Sequence, residues 1–427
     1  MKPEGRGPSI LTGDPEKDAR NVHLLLDTIA EVSSNRDLDA LLSSVADRTL
    51  QLTGAERAVI MLVESGELIW RVGRDSRGRD LSRDASYSRS VPVKVLRTGR
   101  PEILANTADE NPIDLGQSII SLRLLTVMCA PLTYKGRTIG VVYVDSRATT
   151  REFTDSDLTL FTTLANQAGI AIENARLHQE SLEKERIEHE LRIAQDIQRN
   201  LLPRDSFPLA GYDLYGMSEP CDETGGDYFD YFPSRDGKVQ IAIGDVVGHG
   251  VGAALYMATA RALLRAFEHV EPEPSVVFER INDFLERDMD SGQFMTLFLC
   301  ELDPAERTFR YVCAGHNPPV LFRANGTQEE LSRTGIGLGI ADGVSFRTEG
   351  PFALEPGDLL FMFTDGIPEA RNASKDQFDP ERMLEIVGRS RDSSAREITA
   401  NVRRAVDEFR GDVPVDDDLT MVVLKVL

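Results

Sequence analysis

The stretch Ile241-Ala-Ile-Gly-Asp245-Val-Val-Gly-His249-Gly250 is a short apolar run that ends on an acid. Two later stretches share its grammar. Leu359-Leu-Phe-Met-Phe-Thr-Asp365-Gly366 also closes on Asp-Gly, and Asp416-Asp417-Asp418-Leu-Thr-Met-Val-Val-Leu places its acids first. Each run has the length and composition of a strand. If the third strand runs antiparallel to the other two, all these carboxylates meet at one end of a sheet. Burying them without cations is very costly. The pattern therefore points to a site for hard divalent cations with oxygen ligands, Mg²⁺ or Mn²⁺. A fourth acidic patch, Gly225-Gly226-Asp227-Tyr228-Phe229-Asp230, precedes them, and its glycines let the backbone turn tightly. Taken singly, an Asp-Gly is foremost a turn. Four acidic motifs at strand ends, in this order, argue for one constellation.

The surrounding chain has 427 residues, room for two or three domains with sizeable cores. Its apolar fraction of 41% is that of a globular protein, and no run approaches a membrane span. Met1 to Lys17 is polar and rich in Gly and Pro, without a signal peptide, so a cytoplasmic location is expected. A formal charge of −22 argues against nucleic acid and anionic membranes as partners. Cys129, Cys221, Cys300 and Cys313 lack metal-type spacing and read as reduced thiols.

In chain order, residues 1–18 read as disordered and residues 19–176 as one α/β domain. Val22, Leu25, Leu26 and Ile29 have helical spacing, and Leu38, Leu41, Leu42, Val45 and Leu50 form one face of a second helix. Strands are expected at Ala58–Val63 and Leu68–Val72 around Ser65-Gly66, a short helix at Val93–Gly99, and a closing hairpin at Val127–Leu132 and Thr138–Asp145. This order, with the phrases Ser88-Arg-Ser-Val, Val95-Leu-Arg-Thr-Gly-Arg-Pro, Ala130-Pro-Leu and Gly140-Val-Val-Tyr-Val-Asp-Ser146, resembles a GAF domain. The likeness continues through Phe153-Thr-Asp-Ser-Asp157-Leu and Ala168 to Leu177. It implies a sensory fold with an input, a small molecule or a protein; a dimerisation and packing module without ligand is the plainer alternative. Leu158 stands where cyclic-nucleotide binders have Glu, and no Asn-Lys pair is present, which argues against that ligand class.

From Asp157 to Leu201 the helical pattern runs without Pro, and residues 177–203 read as a helical coiled-coil linker. Phe161, Leu164, Ala168, Ala171, Ala175 and Leu182 make a first heptad seam and imply a homodimer. Ile187, Leu191, Ala194 and Leu201 make a second in another phase, interrupted by Gln198. Leu202-Pro203 ends the helix. Residues 204–427 then show many strands with a few helices, at Val251–Val270, Pro274–Arg287 and Ala395–Phe409, as in a β-sandwich flanked by helices. The fold class expected is therefore a multidomain α+β and α/β chain.

In this last unit, Gly225-Gly-Asp-Tyr-Phe-Asp230, Gly244-Asp-Val-Val-Gly-His-Gly-Val-Gly-Ala-Ala-Leu255, Ala314-Gly-His-Asn-Pro-Pro319, Pro356-Gly-Asp-Leu-Leu360, Thr364-Asp-Gly-Ile-Pro-Glu-Ala370 and Asp417-Asp-Leu-Thr420 resemble the metal-dependent PPM (type 2C) serine/threonine phosphatases, in the stage II sporulation E and RsbU branch. The resemblance implies an αββα sandwich holding two divalent cations, Mn²⁺ or Mg²⁺. Asp245 would bridge them, the Val246 carbonyl would ligate one, Asp365 and Asp417 would complete the other, and Asp227 would orient water behind them. These four aspartates are the expected catalytic set. The cations would activate water for in-line attack on a phosphoserine or phosphothreonine. The expected substrate is a phosphorylated regulatory protein of the anti-sigma-factor antagonist type. Met217 to Glu223 lacks the phosphate-anchoring Arg of the eukaryotic branch, so phosphate binding falls to the metals. His249 reads as a turn residue, with proton donation as the alternative, and His316 as structural. Asp230, Asp358, Asp416 and Asp418 are expected neighbours that orient water or ligands. The competing function class is a non-catalytic ligand-binding scaffold with a degenerate phosphatase domain; it predicts a missing acidic motif, and none is missing.

Overall fold

A computed structural model describes residues 37–104, 126–147, 153–268 and 270–427. The expected N-terminal disorder and the helix around Val22 to Ile29 lie outside these residues. The chain divides into two compact units, residues 1–186 and 187–427. One helix, Asp155–Leu201, supplies residues to both.

In the first unit, helix α1 (Leu38–Thr53) starts where the Asp37 carboxylate accepts the Ala40 N–H, and it stops at Gly54 in the left-handed region. Strands β1 (Arg57–Glu64), β2 (Glu67–Asp75), β3 (Glu102–Leu104), β4 (Thr126–Tyr134) and β5 (Arg137–Ser146) form an antiparallel sheet in the order β2-β1-β5-β4-β3. Because side chains alternate across a strand, the sheet has two apolar faces. Ala58, Ile60, Val142 and Val144 pack with α1 and with α3 (Asp155–Leu201). Val59, Met61, Val141 and Tyr143 pack with α2 (Ser90–Thr98).

This packing revises the first heptad seam. Phe161, Ala168, Ala171 and Ala175 lie in the core against the sheet, and Leu164 is buried too. A period of 3.5 over so few turns does not separate a coiled-coil seam from a domain-facing stripe. Leu182, by contrast, is exposed.

The second unit stacks two antiparallel sheets. One runs β14-β11-β10-β9-β8 and the other β13-β12-β15-β16-β7-β6. The strands are β6 (Phe207–Leu209), β7 (Tyr212–Glu219), β8 (Tyr228–Pro233), β9 (Val239–Val246), β10 (Met295–Asp303), β11 (Thr308–Ala314), β12 (Val320–Phe322), β13 (Gln328–Glu330), β14 (Glu349–Ala353), β15 (Leu359–Phe363) and β16 (Leu419–Val426). Their alternation builds three apolar layers. Ile241, Ile243, Phe298, Leu360, Met362 and Val422 fill the space between the sheets. Ala242 and Leu299 face outward onto α4 (Val251–Glu268) and α5 (Pro274–Asp288). Phe361, Met421 and Val423 face α6 (Pro380–Arg389) and α7 (Ala395–Arg410) on the other side. The result is an αββα sandwich. Helix α6 was not expected from the sequence: it has only ten residues and opens on a proline. The interior between the sheets is apolar, so the polar chemistry of this unit gathers at the strand ends.

Candidate metal centre

The sequence placed the acidic strand ends at one edge of a single sheet. The structure corrects this: β9 lies in one sheet and β15 and β16 in the other. Asp245 comes from the end of β9, where it pairs with Thr296 of β10. In the facing sheet β15 and β16 are antiparallel, with Phe363 opposite Met421 and the Thr364 N–H bonded to the Thr420 carbonyl at 3.0 Å. That register sets Asp365, leaving β15, beside Asp417 and Asp418, entering β16.

The loop Thr224-Gly225-Gly226-Asp227 closes the gap between the sheets. The Val246 N–H donates to the Gly226 carbonyl at 3.3 Å, and the Gly250 N–H to the Thr224 carbonyl at 3.2 Å. Glycine is required by crowding. A Cβ on Gly226 would stand 2.5 Å from the Val246 carbonyl oxygen and 3.2 Å from Asp245 Oδ1; one on Gly225 would stand 1.9 Å from Asp418 Oδ2. A Cβ on Gly366 would come within 2.0 Å of the Asp418 carbonyl oxygen. Backbone and carboxylate oxygens from four segments thus press together where no side chain intervenes.

Charge at this place is one-sided. Among the described residues, Asp227, Asp245, Asp365, Asp417 and Asp418 form no ion pair with Lys, Arg or His. Burial, then Asp365, Asp417 and Asp418, push the Asp245 carboxyl up to about 8. Burial and the neighbouring Asp245 and Asp418 hold Asp227 well above the usual carboxylate range. Asp417 keeps a side to solvent; partial burial with Asp365 and Asp418 nearby raises it to about 6. The carboxylates turn to the donors on offer. Asp418 accepts from the Cys221 N–H at 2.8 Å and the Asp227 N–H at 3.2 Å. Asp227 accepts from Thr364 Oγ1 at 2.8 Å, and Asp417 Oδ1 from the Asp418 N–H at 2.8 Å.

Among the described residues no three His, Cys, Asp or Glu side chains form a ready cage for an ion. The donor set nevertheless fits hard cations. It is all oxygen, it is glycine-lined, and its mutual repulsion is the cost that divalent charge offsets. Asp245, Asp365, Asp417 and the Val246 carbonyl could hold such ions, with Asp227 and Asp418 beside them.

The remaining candidates separate. Asp230, fully buried, takes Arg265 at 2.7 Å through both oxygens and the Tyr228 hydroxyl at 3.0 Å, which anchors α4 to β8. Asp358 takes Arg323 at 3.0 Å and the Ala324 N–H at 2.7 Å. Both are structural, unlike the ligand-orienting role expected. His249 is exposed and bonds Asp222 at 2.6 Å, between two glycines in the left-handed region. His316 is buried, meets Thr296 Oγ1 at 2.8 Å, and is driven by burial to about 3, so it stays neutral. Asp416 is exposed. Two functional residues escaped the sequence reading. Thr364 fixes Asp227, and Gln198 bonds Gly225. The polar break that Gln198 makes in an apolar helical series was the signal for it.

Residues 235–427 match the family described as stage II sporulation protein E, and residues 35–173 match a GAF domain. The phosphoserine phosphatase RsbU of Bacillus subtilis is 28% identical over 245 residues, spanning 57% of this chain and 71% of its own length. The protein IcfG of Synechocystis sp. is 27% identical over 263 residues, spanning 55% of this chain and 41% of its own. The chain therefore spans less than half of that second relative. Among solved structures, the SiaA-PP2C domain of Pseudomonas aeruginosa shares the fold at 23% identity, with a TM-score of 0.50 over 57% of this chain and 98% of that one. Residues 235–427 thus belong to the stage II sporulation protein E family, with a PP2C-type phosphatase fold, and follow an N-terminal GAF domain.

Proposed function

We propose that this chain is a metal-dependent protein serine/threonine phosphatase, acting on a phosphorylated regulatory protein of the anti-sigma-factor antagonist type and governed by its GAF domain. The observation that carries the reading is Asp245, half-buried among Asp227, Asp365, Asp417 and Asp418 with no basic side chain paired to it among the described residues. Two relatives are phosphoserine phosphatases by name, RsbU and RsbP of Bacillus subtilis. Among the described residues no helix is long and apolar enough to cross a membrane, in keeping with the cytoplasmic location we propose.

Mn²⁺ or Mg²⁺, when bound, supplies Lewis acidity toward water and neutralises charge on the phosphoryl oxygens. The chain's own part is to hold and orient. Asp245, Asp365, Asp417 and the Val246 carbonyl are the proposed ligands. Asp227, fixed by Thr364 and deep in the fold, holds a proton or a hydrogen bond at Asp245. Gly225 and Gly226 let the backbone approach: a Cβ on Gly226 would meet the Val246 carbonyl oxygen, and one on Gly225 the Asp418 carboxylate. The three buried or half-buried thiols nearest the sheets are protonated by burial and take no part: Cys221 and Cys313 are both pushed up to about 12, and Cys300 higher still. The test is hydrolysis of a phosphoserine protein by the full chain with Mn²⁺, with Mg²⁺ and with excess chelator. Activity that survives the chelator in full refutes the proposal.

A further inference from the structure

A cavity of about 170 Å³ opens beside the acidic centre and is lined by Gly366, Asp416 and Asp417 together with two arginines, Arg371 and Arg410. The arginines differ. Arg410 Nη2 donates to Asp407 at 2.9 Å and Nη1 to the Val413 carbonyl at 2.8 Å, so its charge is largely engaged. Arg371 is exposed and forms no ion pair among the described residues, although the chain carries 70 acidic residues against 48 basic ones. Other basic side chains of this unit, Arg333 and Lys375 among them, form no ion pair among the described residues either; Arg371 differs in lining the cavity beside Asp417.

Its backbone is not free to wander. The Glu369 N–H closes a turn on the Asp365 carbonyl at 2.9 Å, and the Phe378 N–H bonds the Ala370 carbonyl at 2.8 Å. Arg371 bridges to Gln377 across the hairpin, and Asn372 Oδ1 accepts the N–H groups of Ser374 at 2.9 Å and Asp376 at 3.0 Å. Arg371 is thereby tied to Asp365, one of the proposed ligands, by a closed turn rather than a slack loop.

We infer that Arg371 is the cationic anchor for the substrate's phosphoryl group, supplied from the loop after Asp365 and received in this cavity. The inference rests on the phosphatase reading and names the side chain that would hold its substrate. A guanidinium presents parallel N–H donors that match two oxygens of a phosphate dianion, whereas a lysine offers a point charge. Binding would neutralise part of the dianion and fix its orientation toward the acidic centre.

The test is calorimetric titration of inorganic phosphate into the Mn²⁺-loaded full chain, for wild type, Arg371→Ala and Arg371→Lys, beside steady-state kinetics on an aryl phosphate and a phosphoserine protein. Arg371→Ala is expected to weaken phosphate roughly tenfold or more, as loss of a charge-assisted hydrogen bond does. KM should rise by a similar factor on both substrates, with Lys recovering part of the loss and the melting temperature unchanged. Equal phosphate affinity in wild type and Arg371→Ala overturns the inference. So does a KM change confined to the phosphoserine protein, which would put Arg371 against another part of that partner. A wild type that binds phosphate through Arg371 yet hydrolyses neither ester sinks the phosphatase reading and leaves the anchor standing.

Discussion

The Gln198 side chain closes a two-way hydrogen bond on Gly225: Nε2 donates to its carbonyl at 2.6 Å, and Oε1 accepts its N–H at 3.1 Å. Gln198 is buried near the end of α3, and Gly225 stands against Asp418, two residues before Asp227. The last turns of the helix are therefore tied to the loop that places two carboxylates of the centre. Gln198→Leu keeps the volume and removes both bonds, leaving a buried N–H and carbonyl unpaired at a cost of about 1–3 kcal/mol each. The expected result is a lower melting temperature together with a several-fold rise in the Mn²⁺ concentration needed for half-maximal turnover. An unchanged Mn²⁺ requirement would reduce Gln198 to a packing contact.

The glycines make a sharper comparison. Gly366→Ala drives its Cβ onto the Asp418 carbonyl oxygen, and Gly225→Ala drives one onto the Asp418 carboxylate. A carboxylate can rotate away while a carbonyl fixed between Asp418 and Leu419 cannot. Both variants should lose turnover, and Gly366→Ala should melt lower, since overpacking costs about 1–3 kcal/mol. Gly252, near the start of α4, has nothing within 4 Å of its would-be Cβ. Gly252→Ala should keep activity and gain about 0.5–1 kcal/mol from helix propensity. Equal melting curves for all three would show that the crowding around Asp418 relaxes freely.

Asp245 makes a pH prediction for protein held in chelator. Its folded carboxyl is raised to about 8 from an ordinary value of 3.8. Between those values the folded chain binds more protons than the unfolded one, so stability falls as pH rises. The chelated wild type should lose melting temperature from about pH 4 to about pH 8 relative to Asp245→Asn, which carries no ionisable group there. Asp245→Asn should also abolish Mn²⁺-dependent turnover. Parallel melting profiles for the two proteins across this range would remove the carboxylate crowding from the argument.

The legible part of the fold was whatever strand alternation encodes. Ile241 and Ile243 read as strand and fill the space between the sheets; Met421 to Leu424 read as strand and bury on both faces, as a covered sheet demands. Asp245, Asp365 and Asp417 are visible because an acid at either end of an apolar run is a local event. Which sheet each strand joins is not local, so nothing in the runs themselves separates β9 from β15 and β16. The partners of Asp418, Thr364 and Gln198 are hidden for the same reason: they lie between 27 and 197 residues away. Asp230 misled because its partners, Arg265 and Tyr228, turn an acidic motif residue into a helix anchor.

Helix α3 changes surroundings along its length. Its first seam is consumed by the GAF core as far as Ala175, and breaking that packing to re-pair it would expose Phe161 and Ile172. Beyond Ala175 the helix changes character, and every residue from 181 to 190 is exposed. Ile170, Leu177, Leu182 and Ile187 lie bare along it. The pairs Arg176–Glu180 at 2.9 Å and Arg186–Glu183 at 2.6 Å contribute only a few tenths of a kcal/mol each. Apolar residues on a solvated helical stretch call for a cover, and a second copy supplies one with matching spacing. The homodimer we propose should therefore rest on Leu177 and Ile187, with the Phe161 seam uninvolved. Leu177→Glu with Ile187→Glu should yield monomers by light scattering while the GAF melting transition stays in place. Deleting residues 1–182 should change oligomeric state and phosphatase rate together, and Leu191→Glu in the full chain should alter the rate while the dimer persists. If the double variant stays dimeric and the truncated chain keeps the full rate, the helix is a tether and the dimer lies elsewhere.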